Sequence, residues 1–136
     1  MRTRMLTLGL VFAFPAVCLA QASSTTPSPL RRTVLQTHTM VTQPTREAIT
    51  ALAELMVGGT APRHFHTGEE IGYVLEGTAV VEMEGAPSRE LKAGDTFFVP
   101  PNTPHLVRNT GTVTWKAVST YLIEAGKPLA VAAPKP

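Results

Sequence analysis

Apolar and polar residues alternate in short runs along the second half of the chain, and glycine or proline cuts each run. Ala79, Val81 and Met83 alternate with Val80, Glu82 and Glu84, the period of two expected of a strand with one buried face. The segment from Ile71 to Glu84 is rich in Val, Leu and Tyr, and Gly77-Thr78 breaks it in two. Gly85-Ala86-Pro87-Ser88 and Ala93-Gly94-Asp95 read as turns. Thr96 to Val99 forms a short strand stopped by Pro100-Pro101, and His105 to Asn109 and Val113 to Ile123 complete the series. Many short strands with such punctuation predict an all-β sandwich or barrel.

Two spaced patterns lie on this framework. The first is Gly58-x5-His64-x-His66-x3-Glu70-x6-Gly77, and the second is Gly94-x5-Pro100-x-Asn102-x2-His105-x3-Asn109. Together they offer three histidines and a carboxylate, a set that suits borderline divalent metals. Residues two apart in a strand share a face, so His64 and His66 can reach one ion without bending the backbone. Glu70 keeps that parity, with Thr67-Gly68 available as a turn or bulge, and His105 must arrive from a second strand. Pro104 stiffens the approach to His105. Three of the four histidines fall on these patterns; His38 stands apart in the N-terminal arm and is expected to be solvated.

The two patterns resemble the signature motifs of a small single-domain cupin, a double-stranded β-helix (jelly-roll-like) barrel, over roughly Arg46 to Ile123. The resemblance implies that His64, His66, Glu70 and His105 hold a divalent metal. Asn102 stands where the second motif usually has glycine, and asparagine tolerates the left-handed backbone that such a turn needs. Arg46 to Met56 is composed of good helix formers with Thr45 as a possible cap. The resemblance instead places a strand there, and a strand is the reading adopted, since pairing overrides propensity. Thr33 to Thr42 is expected to be an edge strand through which a homodimer forms.

Parity also sorts the neighbours of the ligands. Arg63, Glu69 and Tyr73 should face outward, whereas Val107 and Asn109 share the parity of His105 and are candidates for the cavity lining. Trp115 and Tyr121 read as core or dimer packing. No residue beyond the ligands is assigned a catalytic role. Three neutral imidazoles and one carboxylate around a divalent ion give a net charge of about +1, which attracts anionic or chelating oxygen ligands. Without a thiolate, manganese, iron, nickel, copper and zinc all remain open. The resemblance implies a metal-dependent enzyme of dioxygenase, isomerase or lyase type acting on a small oxygen-rich molecule. The alternative is a non-enzymatic protein that binds a small ligand or the metal itself.

The ends of the chain change the picture of place and charge. Arg2 and Arg4 precede an apolar run from Met5 to Ala20, and Ala20-Gln21-Ala22 offers a small-residue cleavage site. Residues 1–22 therefore read as a secretory signal peptide, cut after Ala22 or alternatively Ala20, with a periplasmic or secreted product. The run is too short, and too interrupted by Pro15, to span a membrane, so no stable insertion is expected once the signal is removed. The single cysteine, Cys18, leaves with it, so the mature chain has no disulfide. Losing Arg2 and Arg4 also brings a formal charge of +2 to zero, and no basic cluster remains beyond Arg31-Arg32, which argues against nucleic-acid binding. Residues 23–32 are expected to be a flexible leader, 33–126 the β-barrel domain and 127–136 a disordered, proline-rich tail.

Overall fold

The computed structural model describes residues 28–134; the expected signal peptide, and residues 23–27 of the expected leader, lie outside them. Ten strands follow one another: β1 (Leu30–Met40), β2 (Gln43–Leu55), β3 (Thr60–Phe65), β4 (Glu69–Glu76), β5 (Thr78–Met83), β6 (Arg89–Lys92), β7 (Thr96–Val99), β8 (His105–Asn109), β9 (Trp115–Glu124) and β10 (Val131–Ala132). They form two five-stranded antiparallel sheets, ordered β1-β2-β9-β4-β7 and β10-β3-β8-β5-β6. This is the double-stranded β-helix arrangement, with the core and the metal-ligand candidates between the sheets.

The segment with helical propensity is strand β2. It pairs with β1 on one side and with β9 on the other, the latter without a break from Arg46↔Glu124 to Leu55↔Trp115. Two full ladders outweigh the few tenths of a kcal/mol per residue that separate its side chains in helix preference. Its alternate residues Ala51, Ala53 and Leu55 are buried, and small side chains at two of them let the sheets approach. The main core gathers Leu55, Val74, Ala79, Leu91, Trp115 and Ala117 at one end of the sandwich. A smaller cluster of Ala51, Tyr121 and Ile123 lies toward the other end.

Two expectations about the ends need correction. The leader expected to run to Arg32 is already ordered at Pro29, whose carbonyl accepts from Met56 N at 2.9 Å, and β1 begins at Leu30. The tail expected to be disordered adds β10 to the edge of β3, with Val131↔Phe65 and Ala132↔His64 in register, and Ala133 N donates to Arg63 O. Composition misled because a backbone ladder needs no apolar side chain; it needs an unpaired edge, and β3 supplies one.

Turn chemistry follows the motifs. Gly77 adopts φ +79 between β4 and β5, and Asn102 is the one non-glycine residue with positive φ among the described residues, at 54. Asn102 N donates to His66 O at 2.8 Å, so this left-handed turn fastens the approach to His105 onto the backbone of a second ligand candidate.

Candidate metal centre

Three of the four ligand candidates sit in two cross-strand pairs, one in each sheet. In one sheet His64 of β3 is the register partner of His105 on β8. In the other, Glu70 of β4 is the partner of Tyr121 on β9. His66 follows the end of β3, and the chain crosses between the sheets through Thr67-Gly68, so the expected turn is the step that carries Glu70 to the opposite wall. All four side chains are buried, with residual exposures of 7% for His64, 0% for His66, 6% for Glu70 and 2% for His105.

The histidine tautomers follow from their partners. His64 Nδ1 donates to Pro62 O at 2.7 Å, His105 Nδ1 to Thr103 O at 3.0 Å, and His66 Nδ1 to the Leu129 carbonyl. A carbonyl only accepts, so each Nδ1 carries the proton and each Nε2 keeps its lone pair. The ligand nitrogens of the three rings lie within 4.8 Å of one another. Glu70 Oε2 stands 3.1 Å from His66 Nε2 and 3.6 Å from His105 Nε2. His66 Nε2 nonetheless has no aligned hydrogen-bond partner, although it is fully buried. A buried nitrogen left in this way costs free energy, and a cation at the convergence point would satisfy it. The donor set and this orphaned lone pair fit a divalent metal.

Burial, reinforced by His105 and Arg32, lowers His64 from 6.5 to about 4, and burial also holds His105 below the ordinary imidazole range. Burial alone would raise Glu70, but the contact with His66 and the charges of His66 and His105 outweigh it and bring the carboxyl down to about 2. His64 thus stays neutral, and the Glu70 carboxylate ionised, from neutral pH down to about 4, where a ligand set must compete with protons. An unfolded histidine takes up its proton near 6.5, whereas folded His64 waits until about 4. Between those values the unfolded chain binds more protons, so stability is complete above 6.5 and falls as the pH drops toward 4. Metal-stripped protein is expected to lose up to about 1.4 kcal/mol per pH unit through His64 in the middle of this window. Urea midpoints at pH 7.5, 6 and 5 test this; a flat profile would contradict it, and His64→Gln should flatten part of the slope.

The neighbours sort partly as expected. Tyr73 is exposed on the outer face. Arg63 pairs with Glu84, and Glu69 is held by Arg46 at 3.2 Å rather than turned toward the histidines. Val107 lines the cavity, but Asn109 does not. Its amide nitrogen donates to Leu55 O at 2.9 Å and Val113 O at 2.8 Å, and its oxygen accepts from Gly111 N, so it fastens the β8–β9 loop. Three participants escaped the sequence reading. Tyr121, expected as packing, lies in the cavity wall with its ring 4.7 Å from that of His66. Burial and the nearby Glu70 charge raise its pKa, so it stays a protonated donor. The buried alternation Trp115, Ala117, Ser119, Tyr121, Ile123 was visible as a signal for this orientation. The second participant, Arg32, reaches His64, and the third, the Leu129 carbonyl, orients His66; neither had a local signal.

The inner cavity is small, ≈ 30 Å³, against the roughly 10–15 Å³ that one water requires. Its walls combine the polar cluster with Leu55, Val81 and Trp115. Toward the outside it meets a vestibule of ≈ 390 Å³, which shares Leu30, Arg32 and His64 with it.

The family model for the cupin domain matches residues 51–121, just over half of the chain. The chain belongs to the cupin family. An uncharacterised protein of Methanocaldococcus jannaschii is 42% identical to this cupin over 69 residues, 48% of this chain and 54% of that protein. The dimethylsulfoniopropionate lyase DddQ of Ruegeria pomeroyi is 47% identical over 47 residues, 35% of this chain and 23% of the lyase. The crystal structure of that lyase is similar with a TM-score of 0.58 and 29% identity, covering 63% of this cupin and 43% of that chain. An oxalate oxidase in complex with glycolate gives a TM-score of 0.63 at 26% identity, covering 82% of this cupin and 58% of the oxidase. This cupin thus spans about half or less of the length of the curated relatives it matches.

Proposed function

We propose that this cupin is a metal-dependent enzyme acting on a small oxygen-rich carboxylate, with His64, His66, Glu70 and His105 as the metal ligands. The observation that carries the reading is the convergence of three proton-free Nε2 atoms, each ring locked by a backbone carbonyl, on a buried point faced by an ionised carboxylate. A divalent ion, when bound there, would supply Lewis acidity or a redox centre. The names of the similar proteins point the same way: dimethylsulfoniopropionate, oxalate and glycolate are all small carboxylates. Within the chain, Tyr121 offers a hydrogen-bond donor beside Glu70, and the apolar floor excludes water from the reacting end. The alternative, a binding protein without turnover, rests on the lack of a separate general base in the cavity lining.

Export to the periplasm or medium is part of the proposal, supported by the charged start, apolar run and small-residue site of residues 1–22. A homodimer through the β1 edge is supported by that strand's place at the end of its sheet, where Val34 and Leu35 are exposed; an apolar outer face near the β7 edge offers a second surface. Ile71 and its cross-strand neighbour Phe98 are exposed there, with Tyr73 and Leu75 alongside.

Elemental analysis of the exported protein, purified without a nickel column, tests the core of the reading. Near-stoichiometric manganese, iron, nickel, copper or zinc is expected. A redox metal directs the assay to dioxygen uptake with small carboxylates, and zinc to lyase or isomerase products. Folded protein that is metal-free and takes up no added metal would sink the assignment, while metal without turnover of any carboxylate would favour the binding protein.

A further inference from the structure

Arg32 enters the site from outside the segment that matches the cupin family. It lies on β1 opposite Ala53, and it lines both the inner cavity and the vestibule, standing with His64 where the two meet. Its Nη2 donates to His64 Nε2 at 3.0 Å, and its Nε is buried with no hydrogen-bond partner among the described residues. Among the described residues the arginines in ion pairs are Arg31, Arg46, Arg63 and Arg108; Arg32 has no carboxylate within reach.

A guanidinium carries five N–H donors and remains charged at any working pH. Keeping it in a cavity wall with one imidazole as its acceptor is costly unless an anion completes its shell. Even that acceptor is conditional. His64 Nε2 has a single lone pair, and it is the lone pair that a metal ion would take. With metal in place, Arg32 must find another acceptor. Among the described residues the vestibule lining contains no acidic side chain, and of its two arginines Arg63 is already paired with Glu84, so Arg32 is the uncompensated charge that an anion approaching by this path meets.

We propose that Arg32 is the carboxylate-binding residue of this site, a proposal that rests on the metal-and-carboxylate reading above. A planar carboxylate against the guanidinium takes Nε–H and Nη2–H as a bidentate pair and satisfies the orphaned Nε. Its remaining oxygen function points inward, to the metal position. Because the inner cavity admits only a few atoms, the ligand joining these two points is a short carboxylate with a second oxygen close to the first. The residue selects for the charge of the ligand and sets its orientation; the family-matched segment alone lacks it.

The test is calorimetric titration of glycolate, and of its uncharged analogue glycolamide, into cobalt(II)-loaded wild type, Arg32→Gln and Arg32→Lys. Cobalt content is measured in parallel. Arg32→Gln is expected to keep stoichiometric cobalt and to bind glycolate about tenfold to a hundredfold more weakly, the range of a charge-assisted bidentate contact. Glycolamide affinity should be unchanged, and Arg32→Lys should fall between, since it retains the charge but not the fork. Lysine also keeps the aliphatic stem, so it carries the comparison if the glutamine variant does not fold. Equal glycolate affinity in wild type and variants would overturn the proposal, as would loss of cobalt from both variants, which would make Arg32 part of the metal site. Wild type that loads cobalt but ignores glycolate overturns the carboxylate role alone. Wild type that takes up no cobalt brings down the metal reading itself.

Discussion

His66→Ala protein is expected to bind divalent metal more weakly than wild type by more than about a hundredfold, a larger loss than the tenfold to hundredfold typical of outer hydrogen-bond partners. His66 is the ligand candidate with the least alternative. Its ring is fully buried, its Nδ1 proton is committed to Leu129 O, and its Nε2 has no aligned partner among the described residues. It also lies nearest to Glu70, at 3.1 Å, so its removal opens a gap between the two walls of the site. Chelator competition with the purified proteins reads the affinity directly. The thermal response supplies a second check, because a metal that binds only the folded state stabilises it by mass action. Chelation should therefore lower the melting temperature of wild type and leave that of His66→Ala unmoved. A variant with metal affinity within a few fold of wild type would remove His66 from the ligand set. His105→Ala should behave alike, its Nε2 being 3.6 Å from the same carboxylate oxygen.

The clustering of the ligand candidates was legible in the sequence wherever strand parity governed it. His64, His66 and Glu70 are even-numbered and buried, while Arg63, Glu69 and Tyr73, odd-numbered neighbours, turn away from the cluster. Motif glycines and Asn102 fixed the turns because few residues adopt positive φ. What parity could not supply was which strands face each other. Arg32 meets His64 only because β1 folds back on β2 and extends over β3, a relation 32 residues apart with no spacing rule behind it. The Leu129 carbonyl, 63 residues from His66, is a backbone group and leaves no trace in residue type. Asn109 shows the limit from the other side. It has the parity of His105, yet its amide is spent on three backbone groups, two in its own loop and one at the end of β2. At the termini the reading leaned on composition and missed β10 and the start of β1, since edge pairing rewards backbone rather than side chains.

Gly68→Ala is expected to cost on the order of 3 kcal/mol or more and to lower the melting temperature by roughly 10–20 °C. Gly68 lies in the crossing from His66 to Glu70. A Cβ built there would lie 1.7 Å from Leu122 O and 2.7 Å from Leu122 C, with Arg46 Nη2 at 2.6 Å. Arg46 can swing aside, although it would give up its 2.7 Å bond to the same Leu122 carbonyl. The carbonyl itself cannot, because β9 is laddered to β2 on one side and to β4 on the other, where Glu69 is the partner of Leu122. Relief must come from moving the crossing away from β9, and Glu70 is two residues further on. Stability and metal binding should therefore fall together. Gly58→Ala separates this effect from a loss of backbone freedom. Its φ is +69 and its Cβ would meet nothing within 4 Å, so it should cost only about 1–2 kcal/mol and keep the metal. Urea denaturation and metal analysis on both variants decide the matter. A Gly68→Ala protein with wild-type stability and full metal content would mean that the crossing is not what holds Glu70 against the histidines.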